Sequence, residues 1–117
     1  MTDEESKTLN VLTLHAEIEK LLQNALVKTP HGLELQVNPQ LGKGLLEAID
    51  TSLQYCLMEG YRKTAILCDP RYRFQLRRYV EKRFPGLPVI SYAEVAPGYK
   101  INVLKTIALD KGYEHSL

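Results

Sequence analysis

The side chains that carry most enzyme chemistry are present in this chain but scattered. His15, His31 and His115 fall in a helix start, a turn and the terminal stretch, and with Cys56 and Cys68 they form none of the short spacings that hold a metal. His15 reads as a capping or surface residue. Asp69 follows an apolar run, Thr64 to Cys68, and so stands at the carboxyl end of a strand, where α/β folds often place functional groups. A catalytic Asp needs a base, a metal or a second carboxylate, and none lies near it in sequence, whereas capping a helix accounts for it in full. Gly42 and Gly44 in QLGKGLL lack the Ser or Thr after lysine, and the preceding strand, that a phosphate loop requires. Ser91 has no Gly-x-Ser-x-Gly elbow. No catalytic residue, metal ligand or cofactor site is expected, and Cys56 and Cys68, inside apolar patterns, read as buried reduced thiols.

The strongest local bias is charge. Between Arg62 and Phe84 lie Arg62, Lys63, Arg71, Arg73, Arg77, Arg78, Lys82 and Arg83, against Asp69 and Glu81. The whole chain carries a net charge of only +1, so the remainder is acidic and the molecule is polarised rather than basic. Non-specific nucleic-acid binding wants a broader positive field and a recognisable module, so no nucleic-acid partner is expected. Phe74 precedes Arg77 and Arg78 by three and four residues, which puts an aromatic among arginines on one helix face. Arg71, Arg73, Phe74, Arg77, Arg78 and Lys82 are therefore the candidate partner-binding residues, steering acidic surfaces toward them. The plainer reading is a solvated face with a half-buried Phe.

These residues are held by one strand, helix, strand unit, Thr64 to Tyr92. Asp69 as cap and Pro70 at the first helical position predict a helix starting there. Tyr72, Leu76, Tyr79, Val80 and Phe84 share its core face, and Pro85 and Gly86 end it. Leu87 to Tyr92 is a second buried strand, parallel to the first by a right-handed crossover. Upstream, Leu9 to Leu14 predicts a strand, and Ile18, Leu21, Leu22, Ala25 and Leu26 predict a helix from about His15 to Val27. Thr29 to Gly32 is a turn, and Leu33, Leu35 and Val37 alternate as an edge strand. Asn38 and Pro39 open a long helix with Leu41, Leu45, Ile49, Leu53, Cys56 and Leu57 on one side, closed by Gly60. Ile101 to Leu109 is a last strand, and the short turn after Tyr92 favours antiparallel pairing there.

The expected fold is one α/β domain, a mixed sheet of about four to five strands with three helices and a single parallel strand, helix, strand unit. Residues 1–8 read as a polar lead-in or linker end, 9–109 as the domain and 110–117 as a polar tail. With 117 residues there is room for one core. Nothing approaches the roughly 20 apolar residues of a membrane span, so a soluble, cytosolic polypeptide is expected.

LTLHAEIEKLL, VNPQLGKGLLEAI, TAILCDPRYRFQLRRYVEKRFPGLPVISYAEV and INVLKTI together resemble the carboxy-terminal end of the FHIPEP family, the export-gate proteins of flagellar and virulence type III secretion. The resemblance runs from Leu9 to Ile107 and is most specific in FPGLPVISYAEV, Phe84 to Val95, and in INVLKTI. LELQVNP, with its extra strand, is more like the virulence (injectisome) branch than the flagellar one. The resemblance implies the fourth, last subdomain of a cytoplasmic half that forms a nonameric ring below a membrane-spanning half at the bacterial inner membrane. It implies no enzyme and no cofactor. The implied partners are chaperone–cargo complexes, gatekeeper and stalk proteins, and other subdomains of the same protein, with movement that opens or closes a cleft. This fragment alone is expected to be monomeric and to make no membrane contact. A free-standing small α/β protein, an enzyme or a nucleic-acid binder using the basic helix, is the alternative.

Overall fold

Four parallel strands with all three helices on one face make the framework that presents the basic helix. The computed structural model describes residues 2–3 and 7–109; the rest of the polar lead-in, and the tail over 110–117 with His115, lie outside the described residues. In chain order the elements are β1 (Thr2–Asp3), β2 (Thr8–Leu14), α1 (Ala16–Ala25), β3 (Leu26–Thr29), β4 (Gly32–Leu35), α2 (Pro39–Met58), β5 (Ala65–Cys68), α3 (Arg73–Glu81), β6 (Val89–Ser91), a 3-10 turn (Tyr92–Glu94) and β7 (Lys100–Ile107). β2 pairs in parallel with β5, β5 with β6, and β7 with β2, so the main order is β7-β2-β5-β6. β1 adds a short antiparallel pair to Thr8 and Leu9.

Both chain crossovers from β2 to β5 and from β5 to β6 run over the helical face. Leu12, Leu14, Ile66, Val89 and Ile107 from the sheet meet Ile18, Ile49, Tyr72, Leu76 and Val80 from the helices in one buried cluster. Each such side chain contributes about 1.5–3 kcal/mol on leaving water. The opposite face carries a smaller cluster, Leu9, Val11 and Leu67, against which Ile90 and Val95 pack. Val95 lies in the connection from β6 to β7, so that connection crosses the helix-free face. A return in the reverse direction stays right-handed only by that route.

Several expectations need correction, each for a physical reason. The antiparallel pairing expected after Tyr92 is overturned: β7 lies parallel to β2 at the far edge, because residues 92–99 are long enough to cross three strand spacings, about 14 Å. The first helix stops at Ala25 rather than Val27. Leu26 to Thr29 instead pairs antiparallel with β4 in a separate two-stranded sheet. Its turn is held by Thr29 Oγ1, which donates to the Gly32 carbonyl at 2.7 Å and accepts from His31 N, with Gly32 at a positive φ of 109°. The β4 segment is thus a hairpin arm, not an edge of the main sheet, and Leu33 is exposed. On α2, Ser52 occupies the core position and bonds back to the Ala48 carbonyl at 2.8 Å, while Leu57, expected on the core side, is exposed.

The start of α3 is also displaced, from Pro70 to Arg73. Asp69 Oδ1 accepts from Arg71 N at 2.8 Å, closing a turn one step short of the helix. By contrast Asn38 caps α2 as expected, accepting from Gln40 N at 2.9 Å with Pro39 at the first position. His15 caps α1 through Nδ1, which accepts from Glu17 N at 3.1 Å. The helices α2 and α3 meet where Gly42 lies under Tyr79, so closely that an added Cβ would run into the Tyr79 hydroxyl.

Candidate docking surface

The six candidate residues divide into two sets. Phe74, Arg77, Arg78 and Lys82 lie exposed along the outer side of α3. Phe74 is 56% exposed, and the Arg78 guanidinium sits 5.9 Å from its ring centroid, a cation–π contact that holds both over the helix. Among the described residues Arg77, Arg78 and Lys82 make no ion pair, so their charge faces solvent.

Arg71 and Arg73 are engaged by carboxylates of the fold, Arg71 at the surface and Arg73 half-buried. Arg71 grips Asp69 at two points, Nε to Oδ1 and Nη2 to Oδ2, both at 3.0 Å. That grip, with the bond from the Arg71 amide, holds the Asp69 carboxyl below its usual range. Arg73 Nε donates to the Val89 carbonyl at 3.0 Å and pairs with Glu94 Oε1 at the same distance. Glu94 Oε1 in turn accepts from Ser91 N at 3.0 Å. Val89 and Ser91 turn these groups away from β5, whose own bond runs from Ile66 N to the Pro88 carbonyl. Arg73 and Glu94 therefore cover the free edge of β6 and block further strand pairing there. The Ser91-x-x-Glu94 capping box is the sequence signal for this arrangement.

At the carboxyl end of β5, Cys68 is fully buried, and burial followed by the Asp69 charge pushes its thiol up to about 12. A thiol so placed is not a thiolate near neutral pH. Glu19 on α1 accepts from the hydroxyls of Tyr72, at 3.4 Å, and Tyr92, at 3.1 Å, tying α1 to the two strand ends. With Asp69 fixed as a carboxylate and Cys68 as a thiol, neither is poised for proton transfer near pH 7. Among the described residues no three His, Cys, Asp or Glu side chains lie together as a metal site, and no helix is long and apolar enough to cross a membrane.

Exposed apolar residues form a further feature that the sequence reading did not single out. Leu57 and Met58 end α2 and Tyr61 lies three residues beyond, at the opposite end of the sheet from Asp69. A Leu-Met pair continuing past the last core residue, Cys56, was the available signal.

The sequence matches the FHIPEP family over residues 1–100. It is 26% identical over 104 residues to the flagellar biosynthesis protein FlhA of Bacillus subtilis, covering 88% of this chain and 15% of that protein. The crystal structure of the C-terminal domain of InvA is similar with a TM-score of 0.75 at 27% identity, over 85% of this chain and 30% of that one. The nonameric EscV cytosolic domain from the type III secretion system is similar with a TM-score of 0.63 at 25% identity, over 85% of this chain and 28% of that one. The chain thus spans about 15% of the length of the curated relatives it matches, and they include both flagellar and invasion proteins. On a match that covers most of its length, the chain belongs to the FHIPEP family.

Proposed function

We propose that the chain acts as a non-enzymatic docking part of a type III secretion export gate, the fourth subdomain of the gate's cytoplasmic half. It works on the cytoplasmic side of the bacterial inner membrane within the whole protein. Its implied partners are chaperone–cargo complexes, gatekeeper and stalk proteins, and it moves against neighbouring subdomains to open or close a cleft. The nonameric state of the EscV cytosolic domain supports a ring for the whole protein. The virulence branch is favoured over the flagellar one on the LELQVNP stretch alone.

The observation that carries the docking role is the free charge on α3. Phe74, Arg77, Arg78 and Lys82 keep an aromatic and three cations exposed, and among the described residues none of the three cations has an acidic partner. An acidic partner surface gains both charge complementarity and an aromatic anchor there. Arg71 and Arg73 frame the patch but are engaged by Asp69 and Glu94.

The test is the double change Arg77→Glu with Arg78→Glu, assayed for binding to a purified chaperone–cargo complex at low and high salt. The expected result is weaker, less salt-sensitive binding with an unchanged thermal midpoint. Unchanged affinity and salt dependence would remove α3 from the docking role. A change in cleft opening with unchanged affinity would assign the face to a neighbouring subdomain.

A further inference from the structure

A second surface lies at the amino ends of β5 and β6. Leu57 is 59% exposed, Met58 87% and Tyr61 37%, three large apolar side chains in one short stretch. Beside them Leu53, Phe84 and Leu87 help to line an open groove of about 220 Å3. That volume lies below the roughly 300–1,000 Å3 of small-molecule sites but matches the scale of bulky side chains inserted from a partner. Basic side chains outnumber acids at its rim. Arg62 lines the groove and Lys63 follows it, while Lys82 and Arg83 precede Phe84; against them stand Glu59 and Glu81 in the same stretches. Arg83 stacks 5.4 Å from the Phe84 ring centroid, its nearest carboxylate, Asp50, lying 4.0 Å away.

We infer that this groove docks an amphipathic, acidic helical segment of a partner protein. Its apolar ridge seats on Leu57 and Tyr61, with Met58 exposed beside them, and its flanking carboxylates face Arg62 and Lys63. Concavity favours a side-chain ridge over a flat lipid surface, and the basic rim sets the sign of the partner's charge. The proposal rests on the docking role above and adds to it a second surface with a stated partner chemistry.

The experiment is an NMR titration of the 15N-labelled full chain with a peptide of roughly four helical turns, leucine at i, i+3, i+4 and i+7 and glutamate at most other positions. A scrambled peptide of the same composition is the control. Expected are amide shifts concentrated at residues 53–64 and 84–87, and affinity that falls as salt rises. In Leu57→Ser with Met58→Ser, an exposed pair whose loss leaves the core intact, affinity should drop about tenfold or more. Equal binding of the scrambled peptide, shifts centred on Arg77 and Arg78, or no loss in the serine variant overturns the proposal. So does binding only to phosphatidylglycerol vesicles, or a concentration-dependent dimer that closes the groove. Because Arg77→Glu with Arg78→Glu leaves the groove untouched, failure of that variant to alter chaperone binding counts against the α3 face alone, and failure of the titration against the groove alone.

Discussion

Arg73 and Arg77 stand one helical turn apart, yet removing the first should destabilise the fold and removing the second should leave it nearly unchanged. Arg73 is 28% exposed and gives one Nε–H to both the Val89 carbonyl and Glu94 Oε1. A hydrogen bond from a charged donor is worth about 1.5–3 kcal/mol, and one left unmade costs a buried acceptor a similar amount. The ion pair itself contributes only about 0–1 kcal/mol, because Glu94 is 42% exposed and water screens it. Arg73→Ala should therefore cost about 2 kcal/mol, lowering the thermal midpoint by roughly 6–10 °C. Arg77→Ala and Arg78→Ala, on the solvent side, should stay within about 0.5 kcal/mol of the parent. Urea unfolding followed by circular dichroism measures all three, and a cycle with Glu94→Gln, which keeps an acceptor for Ser91 N, isolates the charge. An Arg73→Ala variant as stable as the parent, or an Arg77→Ala variant equally damaged, would refute the division of the arginine face into a structural and a free half.

Other perturbations test the same physical picture. Gly42→Ala should destabilise by about 1–3 kcal/mol despite the better helix propensity of Ala, because its Cβ meets the Tyr79 hydroxyl. In a Tyr79→Phe background the same change should cost clearly less, because only the ring Cζ, 3.2 Å from the added Cβ, then has to give, as read by urea unfolding. Raising pH should weaken the fold from about pH 9. The Cys68 thiol and the Tyr92 phenol, both pushed up to about 12 by burial first, stay protonated in the folded chain where the unfolded chain has lost those protons. Their contribution is complete below the unfolded values of 9.0 and 10.0 and disappears as pH climbs through the folded ones, so Cys68→Ala should flatten the alkaline limb of a midpoint-against-pH curve. Leu12→Ala, at a fully buried site between strands and helices, should cost about 2–5 kcal/mol by the same unfolding assay.

What the sequence determined by itself was local. The cap and proline at Asn38 and Pro39, the short apolar run from Leu9 to Leu14, and the apolar face of Tyr72, Leu76 and Val80 each depend on neighbours a few residues away, and each appears where its pattern points. The parallel Thr64 to Tyr92 unit was also legible, because two buried strands joined by a helix have one common solution. So was the α/β class, and so was family membership, carried by strings such as FPGLPVISYAEV.

Tertiary structure decided what depends on distant partners. The place of β7 beside β2 follows from which face the connection after Tyr92 crosses, and that is set by Val95 settling on Leu9, Val11 and Leu67. The end of α1 was decided by a hairpin partner, β4, that outweighs the helical periodicity of Leu26. The same holds for the candidate surface: charge spacing marks six residues, but only packing shows that Arg73 reaches the β6 edge while Phe74, Arg77, Arg78 and Lys82 stay free. A side chain's role is set by the groups within a few ångströms of it, and for Arg73 those groups, Val89 and Glu94, lie sixteen and twenty-one residues along the chain.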